Sequence, residues 1–259
     1  MGEVSLNFSH FPFPISLFPS IIEIFSSIQG EGKYVGCRQI FIRLADCNLN
    51  CAYCDTDYGR AEYCKVETAA GSMTFRRIKN PLTVEQVAEI VYNLVAVPTQ
   101  GLSITGGEPL IHWRFIRELS GAVRKFGLKI LLETNGTLYE ELAAVLDAVD
   151  IISMDIKLPS VVGRDLFELH RRFLEVARGK EVYVKIVVTG DTTLEEFLRA
   201  VRLVASVDRG IMLIVQPVTP CRGVKAISAK KLLRLQEISL REVRDVRVIP
   251  QTHKLIGAL

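Results

Sequence analysis

The 259-residue chain contains no run of five or six like charges, and Lys plus Arg exceed Asp plus Glu by only 32 to 29. A nucleic-acid or membrane-surface role therefore has little electrostatic support, and a small-molecule substrate is the better expectation. No segment offers the roughly 20 uninterrupted apolar residues of a membrane span. The apolar stretch from Phe8 to Phe18 is interrupted by Pro12 and Pro14, followed by Pro19, and preceded by no Lys or Arg. It reads poorly as a signal peptide, so a soluble cytoplasmic protein is expected. Histidine is scarce: the four residues at 10, 112, 170 and 253 have no His-x3-5-His spacing. No second Cys-x2-4-Cys knuckle accompanies them, so a closed structural zinc site is short of ligands. Internal repeats and low-complexity tracts are also missing.

What is present suits a globular α/β chain: hydrophobic residues make up 49% and charged residues 24%, enough to bury a large core. Apolar and β-branched runs at Ile21 to Phe25, Ile40 to Leu44, Leu102 to Thr105, Lys129 to Leu132, Ile151 to Met154, Val182 to Val188, Ile211 to Val215 and Val246 to Ile249 read as buried strands. Helix-period segments alternate with them at Thr83 to Ala96, Trp113 to Phe126, Tyr139 to Leu146, Gly163 to Ala177, Thr193 to Val207 and Ser228 to Ser239. Such alternation predicts a parallel sheet with right-handed crossovers. Thr83 with Gln86, and Thr192 with Glu195, have capping-box spacing.

About six strand-helix units fit the length, too few for a closed eight-fold barrel. The expectation is one domain over 1–259, an open partial (β/α) barrel of about six parallel strands with helices outside. Residues 1–19 form an N-terminal extension and 58–81 an insertion or lid. Chemistry in such folds sits on loops leaving the C-terminal strand ends. There lie the unusual polar motifs: Cys47 to Asp57, Gly106 to Pro109, Glu133 to Thr137, Asp155 to Lys157, Gln216 and Gln251 to Lys254.

Cys47, Cys51 and Cys54 have Cys-x3-Cys-x2-Cys spacing. Three thiolates so placed can converge on one inorganic core and leave an iron without a protein ligand. A small molecule with an amino and a carboxylate group can chelate that iron, as S-adenosylmethionine does. Cys37, Cys64 and Cys221 are solitary and read as small apolar residues. Thr105-Gly106-Gly107-Glu108-Pro109 follows a predicted strand. Its glycines allow backbone to approach a ligand ammonium, and Glu108 can bear on that charge. Alone, the same residues would make an ordinary strand-to-helix turn.

Together, the cysteine loop and Gly-Gly-Glu-Pro resemble the radical S-adenosylmethionine superfamily. A narrower resemblance, to the 7-carboxy-7-deazaguanine synthase family, runs from about residue 20 to the C-terminus. It rests on Ser27-Ile28-Gln29-Gly30-Glu31-Gly32, Phe41-Ile42-Arg43-Leu44, Cys54-Asp55-Thr56, Glu133-Thr134-Asn135-Gly136 and Pro250-Gln251-Thr252-His253-Lys254. That family converts 6-carboxy-5,6,7,8-tetrahydropterin to 7-carboxy-7-deazaguanine with loss of ammonia, on the route to the deazaguanine nucleosides of tRNA, queuosine and archaeosine.

The resemblance implies a 4Fe-4S cluster on Cys47, Cys51 and Cys54, S-adenosyl-L-methionine and Mg2+. It implies pterin contacts at Ile28, Gln29, Gly30, Arg43 and Thr105, and magnesium on Thr56. Cofactor contacts are implied at Tyr53, Cys54, Asp55, Gly107, Glu108, Asp155, Lys157 and Gln216. The implied partners are the small pterin substrate and a low-potential donor of flavodoxin or ferredoxin type, with a homodimer admitted. Gln29 offers donor and acceptor to a heterocycle edge and Arg43 a fork for a carboxylate. A glycine turn and a structural ion pair are the plainer readings of the same residues. Three positions depart from the family pattern: Asp46 stands for Gly, Tyr53 for Trp, and Asp155-Ile156-Lys157 for Ser-Pro-Lys. A glycyl-radical activase or a non-catalytic iron-sulfur electron carrier would share part of this set.

Overall fold

The computed structural model describes residues 18–54, 57–95 and 97–259. Most of the expected N-terminal extension therefore lies outside the described residues, as do Asp55, Thr56 and the expected helix end at Ala96.

The strands are β1 (Ile21–Ile28), β2 (Arg38–Leu44), β3 (Tyr63–Glu67), β4 (Phe75–Lys79), β5 (Gly101–Gly106), β6 (Ile130–Thr134), β7 (Ile151–Asp155), β8 (Glu181–Val188), β9 (Met212–Pro217) and β10 (Val246–Val248). The helices are α1 (Val84–Leu94), α2 (Trp113–Val123), α3 (Tyr139–Val145), α4 (Pro159–Val162), α5 (Phe167–Ala177), α6 (Leu194–Val207), α7 (Ala229–Ser239) and α8 (Thr252–Ile256). One sheet runs in the order β10-β9-β8-β7-β6-β5-β2-β1-β3-β4. From β2 through β10 every neighbouring pair is parallel. The sheet has two free ends, which makes it the open partial barrel expected from the sequence.

Where no helix intervenes the parallel rule lapses. β1 pairs with β2 antiparallel, because the short connection between them cannot make a crossover. The segment 58–81, expected as an insertion or lid, contains the antiparallel pair β3–β4, and β3 adds in parallel to the outer edge of β1. It extends the sheet as a hairpin. The expected helix from Gly163 begins instead at Phe167, since Gly163 takes a left-handed φ of 73° and ends α4, the usual glycine stop.

Strand alternation builds two different faces. One face carries residues such as Ile130, Leu132, Ile152, Met154, Val184, Ile186, Leu213 and Val215 into the main core beneath the helices. On the other face Leu131, Ile151, Tyr183 and Ile214 form a separate apolar cluster with Tyr34, Met212 and Ile249 against it. Two residues further along the same strands this inner face turns polar, at Glu133, Ser153, Lys185 and Gln216. The apolar cluster is thus the floor of the barrel, and the polar positions line the space above it.

The capping box of α1 is formed by Thr83 and Gln86 as expected. That of α6 is displaced by one residue: Thr193 and Glu196 make the reciprocal bonds. Thr192 is excluded because its hydroxyl accepts from Thr189 N at 2.8 Å and closes the preceding turn. Thr193→Ala should therefore lower the unfolding free energy by about 1 kcal/mol. Glu195→Ala should change it by less than about 0.5 kcal/mol. Urea denaturation of both variants checks this, and equal losses would place the cap wrongly.

Candidate active site

The polar ends of the strands surround a cavity of about 490 Å³, a size suited to small organic ligands. Cys47, Cys51 and Cys54 line one side of it. Leu49 N lies 3.5 Å from Cys47 Sγ, and Cys54 N donates to Cys51 O at 3.0 Å, so the backbone winds tightly between the thiols. Burial pushes the Cys47 thiol up to about 11 and raises Cys51 as well. An unligated thiol at such a site holds its proton, and only a metal would make thiolate the favoured form. Among the described residues no three His, Cys, Asp or Glu side chains are arranged around a single metal ion. Three thiols on one cavity are the donor set of an iron-sulfur core that keeps one iron open, whereas a structural zinc would require a fourth protein ligand.

The loop around the cysteines is held from behind. Asn48 donates to Thr137 Oγ1 at 2.9 Å and accepts from Asn135 Nδ2 at 2.8 Å. Glu108 N donates to Asp46 O at 2.8 Å. The Glu108 carboxylate is fully buried and accepts from Leu110 N, Thr134 Oγ1 and Asn135 N at 3.1, 2.8 and 2.7 Å. Burial raises its ionisation to about 7 despite these donors. Both Glu108 oxygens thus serve neighbouring loops. Gly107 does line the cavity, and a Cβ there would lie 2.0 Å from Asp46 O. Only glycine lets the two loops meet.

Among the other expected residues, Ile28, Gln29, Gly30, Arg43, Thr105, Tyr53, Asp155, Lys157 and Gln216 all line the same cavity. Two expectations are altered in detail. Gln29 is 3% exposed; its amide donates to Gln39 Oε1 and Glu133 Oε1 at 3.1 and 3.0 Å and accepts from Glu31 N at 3.0 Å. Its side chain braces the wall, with both donors engaged. Arg43 Nε meets Glu23 Oε1 at 2.7 Å, the plainer ion pair, although the residue still faces the cavity.

Two buried acceptors point to a ligand: Asp155 Oδ1 and Gln216 Oε1 have no hydrogen-bond partner. Leaving such groups dry and unpaired is costly. They fit hydroxyl or ammonium donors of the kind S-adenosylmethionine carries. Asp155 Oδ2, by contrast, faces Lys157 Nζ at 2.9 Å and Lys185 Nζ at 3.4 Å. Burial lowers the Lys157 ammonium, but Asp155, Tyr53 and Cys51 outweigh it and hold it well above its ordinary value. Tyr53 contributes its ring, 5.2 Å from Lys157 Nζ.

The sequence reading gave no role to several lining residues. Glu31, Glu133, Lys185, Gln251 and His253 all face the cavity. Glu31 accepts from Lys185 and, at 2.7 Å, from Gln251. Burial raises Glu31, yet Lys185 and Gln251 bring it down to about 2. Glu31, Glu133, Gln251 and His253 stood in motifs the sequence had singled out without a role for them, and Lys185 had its own signal, a lysine inside the apolar run Val182 to Val188.

Cys37, Cys64 and Cys221 are not among the residues that line the cavity; Cys221 packs behind the cysteine loop, its thiol donating to Tyr53 O at 3.3 Å. Replacing Cys47, Cys51 or Cys54 with Ala should therefore abolish cluster content after anaerobic reconstitution, while the other three variants retain it. Iron and sulfide analysis decides the matter, and a full cluster in Cys51→Ala would overturn the assignment.

The sequence profile of the Radical SAM superfamily matches residues 42–215. A 7-carboxy-7-deazaguanine synthase of Geobacter sulfurreducens is 43% identical over 242 residues, covering 92% of this chain and 96% of that protein. One from Methanocaldococcus jannaschii is 32% identical over 249 residues, with 92% and 100% coverage. In fold, the chain is similar to the crystal structure of QueE from Escherichia coli, with a TM-score of 0.60 at 22% identity over 90% of this chain and 93% of that one. The radical SAM profile, the two-thirds and more of the chain shared with these relatives, and three cysteines facing a polar barrel mouth agree: the chain belongs to the 7-carboxy-7-deazaguanine synthase family of the radical SAM superfamily.

Proposed function

We propose that the protein converts 6-carboxy-5,6,7,8-tetrahydropterin to 7-carboxy-7-deazaguanine with loss of ammonia, as a carbon-nitrogen lyase of deazaguanine biosynthesis. The observation that carries this reading is one cavity lined both by the three cysteines and by the Ile28-Gln29-Gly30 and Arg43 wall. Cys47, Cys51 and Cys54 would hold the 4Fe-4S cluster. Gly107, Tyr53, Asp155, Lys157 and Gln216 would hold S-adenosylmethionine, with the orphaned Asp155 and Gln216 oxygens receiving its donors. Together these groups supply a carbon radical when bound.

The chain's own residues then orient and enclose the pterin. Ile28, Gly30 and Thr105 shape the wall, and a Cβ on Gly30 would lie 2.1 Å from His253 Nδ1, so glycine lets the C-terminal segment close against it. Thr252 N donates to Gly30 O at 2.9 Å and fixes that contact. Arg43, shared with Glu23, supplies charge for the substrate carboxylate. Enclosure keeps water from a reactive carbon centre. Magnesium on Thr56, a low-potential flavodoxin or ferredoxin as donor, a homodimer and a cytoplasmic setting complete the proposal. No helix among the described residues is long and apolar enough to cross a membrane.

The test is anaerobic reconstitution followed by incubation with the carboxytetrahydropterin, reading 7-carboxy-7-deazaguanine and 5'-deoxyadenosine together. Arg43→Ala should reduce product formation by on the order of 10- to 100-fold, the weight of one charge-assisted contact. Slow cofactor cleavage without substrate should persist. Absence of any product from the wild-type enzyme would return the protein to the broader superfamily.

Thr56→Ala should raise the magnesium concentration needed for half-maximal turnover, since a hydroxyl is a hard oxygen donor. Superimposable magnesium titrations of the variant and the wild type would remove Thr56 from the metal site.

A further inference from the structure

Lys185 is 9% exposed and stands on the inner face of β8 with Asp155 of β7 as its register partner. Its ammonium contacts Glu31 Oε2 and lies 3.4 Å from Asp155 Oδ2. Beyond Glu31 lies Gln251 at 2.7 Å; beyond Asp155 lies Lys157 at 2.9 Å. The result is a row, buried at its centre and partly buried at its ends, Gln251–Glu31–Lys185–Asp155–Lys157–Tyr53, running from the Gly30 wall to the cysteine side. Within it, Lys185 is the sole link between the two carboxylates among the described contacts.

We infer that Lys185 is a positioning residue that couples occupancy of the pterin half of the cavity to occupancy of the cofactor half. The inference rests on the placement of the two ligands proposed above. Two ammonium groups gather on Asp155 Oδ2 and leave Oδ1 free toward a ligand. A donor bound at Oδ1 fixes the orientation of that carboxylate. Lys185 is then fixed by it, and through Lys185 so is Glu31, two residues from Gln29. Whichever ligand arrives first orders the ammonium and both carboxylates, so the second binds a row already in place. Charge balance supports the same view: both carboxylates of the row, Glu31 and Asp155, are paired with lysines, and Lys185 is shared between them.

The experiment uses the reconstituted holoenzyme with magnesium, its cluster oxidised and no reductant present, so that both ligands bind without turnover. The dissociation constant of S-adenosylmethionine is measured by equilibrium dialysis with and without saturating carboxytetrahydropterin. In the wild type the pterin should tighten it by about fivefold or more. In Lys185→Met the ratio should fall to within about twofold of unity, even where each affinity has itself weakened. Lys185→Arg, which can span both carboxylates, should retain most of the coupling. Lys185→Gln provides a second neutral variant should Met impair folding, checked by circular dichroism and iron content. A neutral variant that keeps the wild-type ratio overturns the inference, as does a wild type that binds both ligands independently. A wild type that binds neither ligand instead overturns the proposed function, and the inference falls with it.

Discussion

The Glu108 carboxylate is the joint on which the site depends. It accepts from the β6 exit at Thr134 and Asn135, while its own N–H holds Asp46 beside the first cysteine. Asn135 in turn bonds Asn48, which lies between Cys47 and Cys51. Loops leaving β2, β5 and β6 are separate in sequence and would each move independently. Joined through a buried carboxylate they form one frame, because removing any donor strands an acceptor away from water. The cysteines inherit their positions from that frame. Gly-Gly-Glu-Pro therefore reads here as structural in its acid and permissive in its glycines, with Gly107 leaving room for the cysteine loop.

Legibility in the sequence followed the range of the interactions. The cysteine spacing and the glycine turn are local chemistry, and the structure gathers them at one cavity as their motifs implied. The parallel strands were legible as apolar runs because both faces are buried near the floor. That same uniformity concealed the inner-face roles of Ser153 and Lys185, while Glu133 and Gln216 stood out at the strand ends. Glu133, Ser153, Lys185 and Gln216 occupy alternate positions pointing into the cavity, but each is a single polar residue in or at the end of an apolar run. Their shared purpose depends on neighbouring strands. Register brings Asp155 beside Lys185, and nothing short of the pairing reveals it.

Boundaries were less legible for a related reason. Thr192 and Thr193 both stand three residues before a glutamate; a contact to Thr189 in the preceding turn decides between them. Gly163 could begin a helix by composition, whereas its left-handed backbone ends one. The β3–β4 hairpin lacked clear alternation because its outer strand is largely exposed and charged, from Phe75 through Lys79. Charged residues on an edge strand also discourage pairing with another chain.

The three departures from the family pattern have a common physical logic. Asp46 adopts φ 67°, the left-handed conformation that glycine takes freely and that aspartate tolerates better than most residues. Its side chain is then provided for: Arg60 Nε donates to both oxygens at 3.0 and 3.1 Å, and His112 Nε2 lies 3.4 Å away. Burial lowers the His112 ionisation, so Arg60 is the steady countercharge. Tyr53 keeps an aromatic face for the Lys157 ammonium, with its hydroxyl 3.5 Å away. Asp155 introduces a negative charge beside that same ammonium, and Lys185 supplies a second positive neighbour. Asp46 alone would strain the backbone and bury an unpaired charge, and Asp155 alone would bury one; Arg60 pairs with the first, and Lys157 and Lys185 pair with the second, so the cavity's charge balance is kept.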